Sequence, residues 1–154
     1  MTPEAEQVLA GLEFRKPAVL RLIEPLTDEQ MAWRPGPDRN SVAWQLWHIP
    51  EVEDNWVRDK LLGEAKRYPF GCSVREASNY PAKAELLRYL DEVRALTHQR
   101  LLALAPADFA KPLADEHFGN LMVRDLWAGL VTSFAWHAGQ IALTVGLLRG
   151  NAPL

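Results

Sequence analysis

Apolar residues recur at spacings of three and four along four long stretches of the chain, and alternating strand-like runs are nearly absent. That periodicity predicts helices rather than sheets. The first stretch runs from about Pro3 to Glu24, with Leu9, Leu12, Val19 and Ile23 on one face. Pro17 inside it lacks the amide hydrogen a helix interior needs, so it should kink or split the helix. The second runs from about Ser41 to Leu62, with Asn40 or Ser41 as its cap and Pro50 as an expected interruption just past His48. The third covers about Pro81 to Leu104, and Leu86, Leu90, Val93, Leu101 and Leu104 mark its buried stripe. The fourth covers about Met122 to Arg149, with a stripe of Leu130, Phe134, His137, Ile141, Val145 and Leu148. Gly150 suits the left-handed position that ends it.

Each of these helices must bury an apolar face, and a four-helix bundle buries all four at once. The expected fold is therefore all-α. The joints are the Pro- and Gly-rich WRPGPDRNS segment, an irregular stretch from Gly63 to Tyr80, and a third from Pro106 to about Leu121. No composition shift or internal repeat marks a second domain, so residues 1–154 read as one domain.

Composition narrows the function classes. The net charge is −3, which gives no electrostatic footprint for nucleic acid. The lone cysteine, Cys72, cannot form an internal disulfide, which suits a reducing compartment, and it reads as an inert loop thiol. Glu4, Glu6 and Glu13 occupy the N-terminal stretch where a signal peptide would be basic and then apolar. No apolar run approaches the roughly 18–20 residues of a membrane span. A soluble, cytoplasmic protein with neither membrane nor nucleic-acid contact is expected.

The candidate chemistry lies with two of the four histidines. His48, in SVAWQLWHIPEVEDNW, and His137, in SFAWHAGQIALTVGLLRG, both sit in apolar helical stretches. Facing helices of a bundle can bring two imidazoles to one metal ion, and a buried neutral histidine with one hydrogen-bond partner is the alternative. Ser133 lies four residues before His137, on the same face. It is a weak donor for such an ion, and a Ser133–His137 nucleophile pair would lack an acidic residue to orient it. Glu51, three residues after His48, could reach the same site, although the acidic run of Glu51, Glu53 and Asp54 reads first as a face turned to water. Asn55, two turns past His48, could reach the same cavity. His98 reads as a surface residue and His117 as a loop histidine able to swing toward a site. The six tryptophans read as core or helix seams, and any exposed together would mark a dimer surface or an apolar substrate mouth.

These motifs resemble those of the DinB-like (DinB/YfiT) family. The second-helix segment has that family's histidine after an apolar and tryptophan lead-in, and WHAGQI resembles its fourth-helix signature. The resemblance covers nearly the whole chain and implies a four-helix bundle holding a divalent metal, zinc or nickel, through three residues. It implies that His48 and His137 are two of these ligands. The third position, usually histidine or glutamate, holds Ser133 here. It further implies a thiol-dependent S-transferase or hydrolase acting on a small electrophile, with a low-molecular-weight thiol as co-substrate and a homodimeric assembly. A metal bound weakly or absent, in a binding or interaction protein that keeps the bundle but has lost catalysis, is the alternative that Ser133 raises.

Overall fold

The structure, a computed structural model, describes residues 1–76, 79–115 and 119–150. The first amphipathic stretch forms two helices, α1 (Pro3–Phe14) and α2 (Lys16–Ile23). The break falls at Arg15 because Pro17 then occupies the first turn of a helix, where no amide partner is missed. A short α3 (Asp28–Ala32) follows, opened by a capping box in which Thr27 and Gln30 bond each other's backbone amides. Ser41, not Asn40, caps α4 (Val42–Trp56), its Oγ accepting from the Trp44 amide at 3.0 Å. After α4 the backbone widens into a π-helical segment, Val57–Leu62. Then come α5 (Lys83–Leu102), a 3-10 turn (Pro106–Ala110), β1 (Pro112–Asp115), β2 (Gly119–Met122) and α6 (Val123–Leu148).

Two elements depart from the sequence expectation. Helix α4 passes through Pro50 without a break. One backbone bond is lost there, but Pro50 is buried and α4 packs along both α5 and α6, so tertiary contact outweighs local propensity. The third joint contains an antiparallel hairpin, β1–β2, in which Leu113 pairs with Leu121. Gly150, at φ +69°, takes the left-handed position past α6 as expected.

The long elements close on one another: α1 packs on α5 and α6, and α4 packs on both α5 and α6. Leu12, Ile23, Leu46, Leu86, Trp127 and Ile141 form the fully buried centre. At Gly11 a Cβ would lie 2.8 Å from Val131 Cγ1, so a larger residue there would force the Val131 side chain or the α1–α6 contact to shift. Helices α4 and α6 are antiparallel, since His48 stands by His137 while Trp56, further along α4, meets Gly129, further back on α6. By length and composition α6 is apolar enough to cross a membrane, although Arg124, Asp125, Ser133, His137 and Gln140 interrupt its apolar runs. In the fold its stripe from Leu130 to Val145 is buried among the other helices.

The acidic run on α4 does not face water. Glu51, Glu53 and Asp54 are 6%, 3% and 0% exposed. Helices on two sides leave that part of α4 no free face, and cations from elsewhere compensate. Glu53 accepts from Arg94 Nε at 3.2 Å and Nη2 at 3.0 Å, and from Thr97 Oγ1 at 2.6 Å. Asp54 accepts from Arg58 at 3.0 Å, Arg67 at 3.1 Å and Arg100 at 3.1 Å. The Asn55 amide accepts from the Arg67 backbone N–H at 2.6 Å and donates to its carbonyl at 3.0 Å. Together Asp54 and Asn55 fasten the segment after Gly63 to α4, on the way to the residues that meet His48.

Candidate metal centre

Four residues along α4 from Trp44, the imidazole of His48 stacks on the Trp44 indole, with ring centroids 4.4 Å apart and planes at 15°. The i, i+4 spacing places the two rings one above the other. Across the bundle, the His137 ring on α6 lies 5.4 Å from that of His48, centroid to centroid. The two histidines that the sequence singled out therefore meet at the same level of adjacent helices.

A carboxylate reaches His48 through a hydroxyl. The Ser73 backbone N–H donates to Glu51 Oε2 at 2.9 Å, and the Ser73 hydroxyl donates to Glu51 Oε1 at 2.9 Å. The same hydroxyl oxygen lies 3.0 Å from His48 Nδ1. Its only proton is directed at Glu51, so the oxygen accepts from Nδ1–H. This assigns His48 the tautomer whose lone pair is on Nε2. Cys72 Sγ approaches Glu51 Oε1 at 3.9 Å.

Electrostatics keep both imidazoles neutral. Burial, and then repulsion from His137, lowers His48 to about 4. Burial also lowers His137. Glu51 is raised by burial, against the hydrogen bonds from the Ser73 side chain and backbone and from Cys72. The Cys72 thiol is raised by desolvation and by the Glu51 carboxylate, so it is less prone to ionise than an ordinary cysteine.

Neutral imidazoles carry a stability consequence. Between about 6.5 and about 4 the unfolded chain binds a proton at His48 that the folded chain does not. Stability should therefore be fully present above that window and fall as pH drops through it. In chelator-treated protein the urea midpoint is expected to be lower at pH 5 than at pH 7, and the drop to be smaller in His48→Gln. Equal drops in the two proteins would contradict the assignment.

The residues present suit a metal in part. The Nδ1 of His137, a residue 9% exposed, is buried with no hydrogen-bond partner, and burying such an atom unsatisfied is costly. His48 offers Nε2 through the tautomer set by Ser73. The carboxylate, hydroxyl and imidazole are connected as outer-shell partners of ligating histidines are. Among the described residues, however, no three histidine, cysteine or acidic side chains group to hold an ion. Ser133 lies half-buried on α6, makes no hydrogen bond to His137, and lines an apolar cleft. The absent Ser133–His137 bond removes the nucleophile pair considered from spacing. Asn55, with both ends of its amide engaged by Arg67, is not directed at the histidines. His98 is exposed on α5, and His117 lies outside the described residues. Ser73 is the residue that sequence reasoning missed. It sits in an irregular stretch with no periodicity to reveal it.

A helical bundle with two neutral histidines facing each other across antiparallel helices is the class of protein defined by this fold and site. The chain belongs to the DinB superfamily, whose sequence model matches residues 12–141. Among solved structures it resembles a conserved protein from Enterococcus faecalis, with a TM-score of 0.81 and 16% identity over 97% of this chain and 99% of that one. At that identity the likeness concerns the fold. No curated protein matches the chain.

Proposed function

We propose that the protein is a divalent-metal-dependent enzyme of the cytoplasm, with His48 and His137 holding a zinc or nickel ion. In this reading a low-molecular-weight thiol is transferred to a small electrophile, or the electrophile is hydrolysed. The observation that carries the reading is the buried, partnerless Nδ1 of His137 beside a His48 whose own Nδ1 is fixed by Ser73. Membership of the DinB superfamily supports it.

When bound, the ion would lower the pKa of a thiol or water and so supply a nucleophile at neutral pH. The chain's own residues do the rest. Trp44 holds the His48 ring by stacking. Glu51 acts on His48 through Ser73 and is a positioning residue, with both of its oxygens already accepting from Ser73. Burial keeps both imidazoles unprotonated and able to donate lone pairs. Ser133 brings a neutral hydroxyl to the position where the resemblance implies a third ligand, so an ion held by His48 and His137 would keep more positions open to small molecules.

The test is titration of chelator-treated protein with zinc or nickel against a chromophoric competitor, followed by assay of thiol transfer to an aryl halide. Ser73→Ala is expected to weaken metal binding by about 10–100-fold, the size typical of a lost outer-shell partner. In nitrogen NMR of the metal-free protein it should also shift His48 away from the Nδ1–H tautomer. Unchanged affinity and tautomer in Ser73→Ala would refute the role given to Ser73. A native protein that takes up no metal would leave the metal-free binding protein as the surviving reading.

A further inference from the structure

We infer that the apolar cleft containing Ser133 is a binding site for an uncharged aromatic small molecule. The inference rests on the proposed function and deepens it, because such a ligand is the apolar part of the electrophile. The cleft has a volume of about 450 Å³, within the range of roughly 300–1,000 Å³ usual for small-molecule sites.

Its shape follows from side-chain size. Gly129 and Ser133 stand one turn apart on α6, and both are small. The indoles of Trp56 and Trp136 also line the space. A Cβ on Gly129 would lie 3.5 Å from Trp56 Cζ3, which is ordinary contact, so alanine would fit there and a longer side chain would enter the cleft. Leu113 and Leu121, paired across the β1–β2 hairpin, add apolar walls.

The lining also specifies the ligand. Among the described residues it is lined by one cation, Lys60, and one anion, Asp125, so these favour neither sign of charge. Trp136 is 67% exposed, in contrast to the fully buried Trp127 on the same helix. A large exposed ring at an apolar cleft gains contact and loses water when a flat apolar molecule enters. Ser133 and Trp136 lie four residues and one residue before His137 on α6, so a ligand in the cleft lies about one helical turn from the histidine pair. In this chain the position assigned by resemblance to a third metal ligand has become part of a binding cleft.

The probe is N-phenyl-1-naphthylamine, an uncharged aromatic whose fluorescence rises in apolar surroundings. The native protein is expected to bind it saturably, with quenching of tryptophan emission. Ser133→Leu and Gly129→Phe, each folded by circular dichroism, should weaken binding by at least about tenfold, since an overfilled site excludes its ligand. His48→Ala, which lies outside the cleft, should bind the probe as the native protein does. Probe binding without metal uptake would keep the cleft and refute the metal-dependent enzyme; metal uptake without saturable probe binding would do the reverse. Equal affinity in a folded Ser133→Leu would overturn the inference. So would a dimer that buries Trp136 and excludes the probe, which would make a second copy of the chain the occupant.

Discussion

Arg94→Met is expected to destabilise the protein by about 3–5 kcal/mol, the usual loss when one partner of a buried ion pair is removed. Arg94 is 5% exposed and Glu53 3%, and the pair is joined by two hydrogen bonds of 3.2 and 3.0 Å. Without the guanidinium, Glu53 keeps only the Thr97 hydroxyl and cannot turn to water from the middle of the bundle. Arg94 also reaches Glu13 at 3.0 Å, so its loss unfastens α1 from α5 as well. For a chain of this size each kcal/mol corresponds to a Tm change of about 2–4 °C. Urea denaturation followed by circular dichroism measures the effect. The double variant Glu53→Gln/Arg94→Met should lose less than Arg94→Met alone, because it removes the buried charge together with its partner. A loss below about 1 kcal/mol in Arg94→Met would place the pair in the class of surface ion pairs and contradict the burial argument.

Loss of metal in His48→Ala and in His137→Ala is the second large effect expected. Each change removes one of the two imidazoles that face each other at 5.4 Å, and neither Glu51 nor Asn55 is placed to substitute. Glu51 has both oxygens accepting from Ser73, and Asn55 is bound to the Arg67 backbone. The affinity loss should therefore exceed the 10–100-fold expected for an outer-shell change such as Ser73→Ala. Ser133→His, which restores an imidazole one turn before His137, should act in the opposite direction and tighten binding. Competition titration with a chromophoric chelator ranks the four variants. An affinity in Ser133→His no higher than native would count against the ligand position that the resemblance assigns.

The features legible in the sequence depend on residues close together along the chain. Periodicity places the four long helical stretches within a few residues of their ends, a hydroxyl just before an apolar run marks Ser41 as a cap, and Gly150 marks the stop after α6. His48 and His137 stood out because an imidazole on an apolar face is conspicuous, and the antiparallel packing of α4 and α6 brings them together. What the sequence hid depends on distant partners. The run Glu51, Glu53 and Asp54 looks solvated until Arg94, 41 residues beyond Glu53, is placed against it. Ser73 lies 25 residues from His48 in a stretch without pattern, yet it sets the ring's tautomer. Pro50 breaks an isolated helix and does not break one held on two sides. The hairpin has four residues in each strand, too few for alternation to be recognised.

The central claim is that two neutral imidazoles, one on α4 and one on α6, hold a metal. Elemental mass spectrometry of the untagged protein, purified without chelators, tests it most directly. About one equivalent of zinc or nickel in the native protein, absent from His48→Ala and His137→Ala, is the expected result, since a metal site that needs both ligands fails when either is removed. No metal in the native protein after incubation with excess zinc or nickel, or full occupancy in His48→Ala, would contradict it.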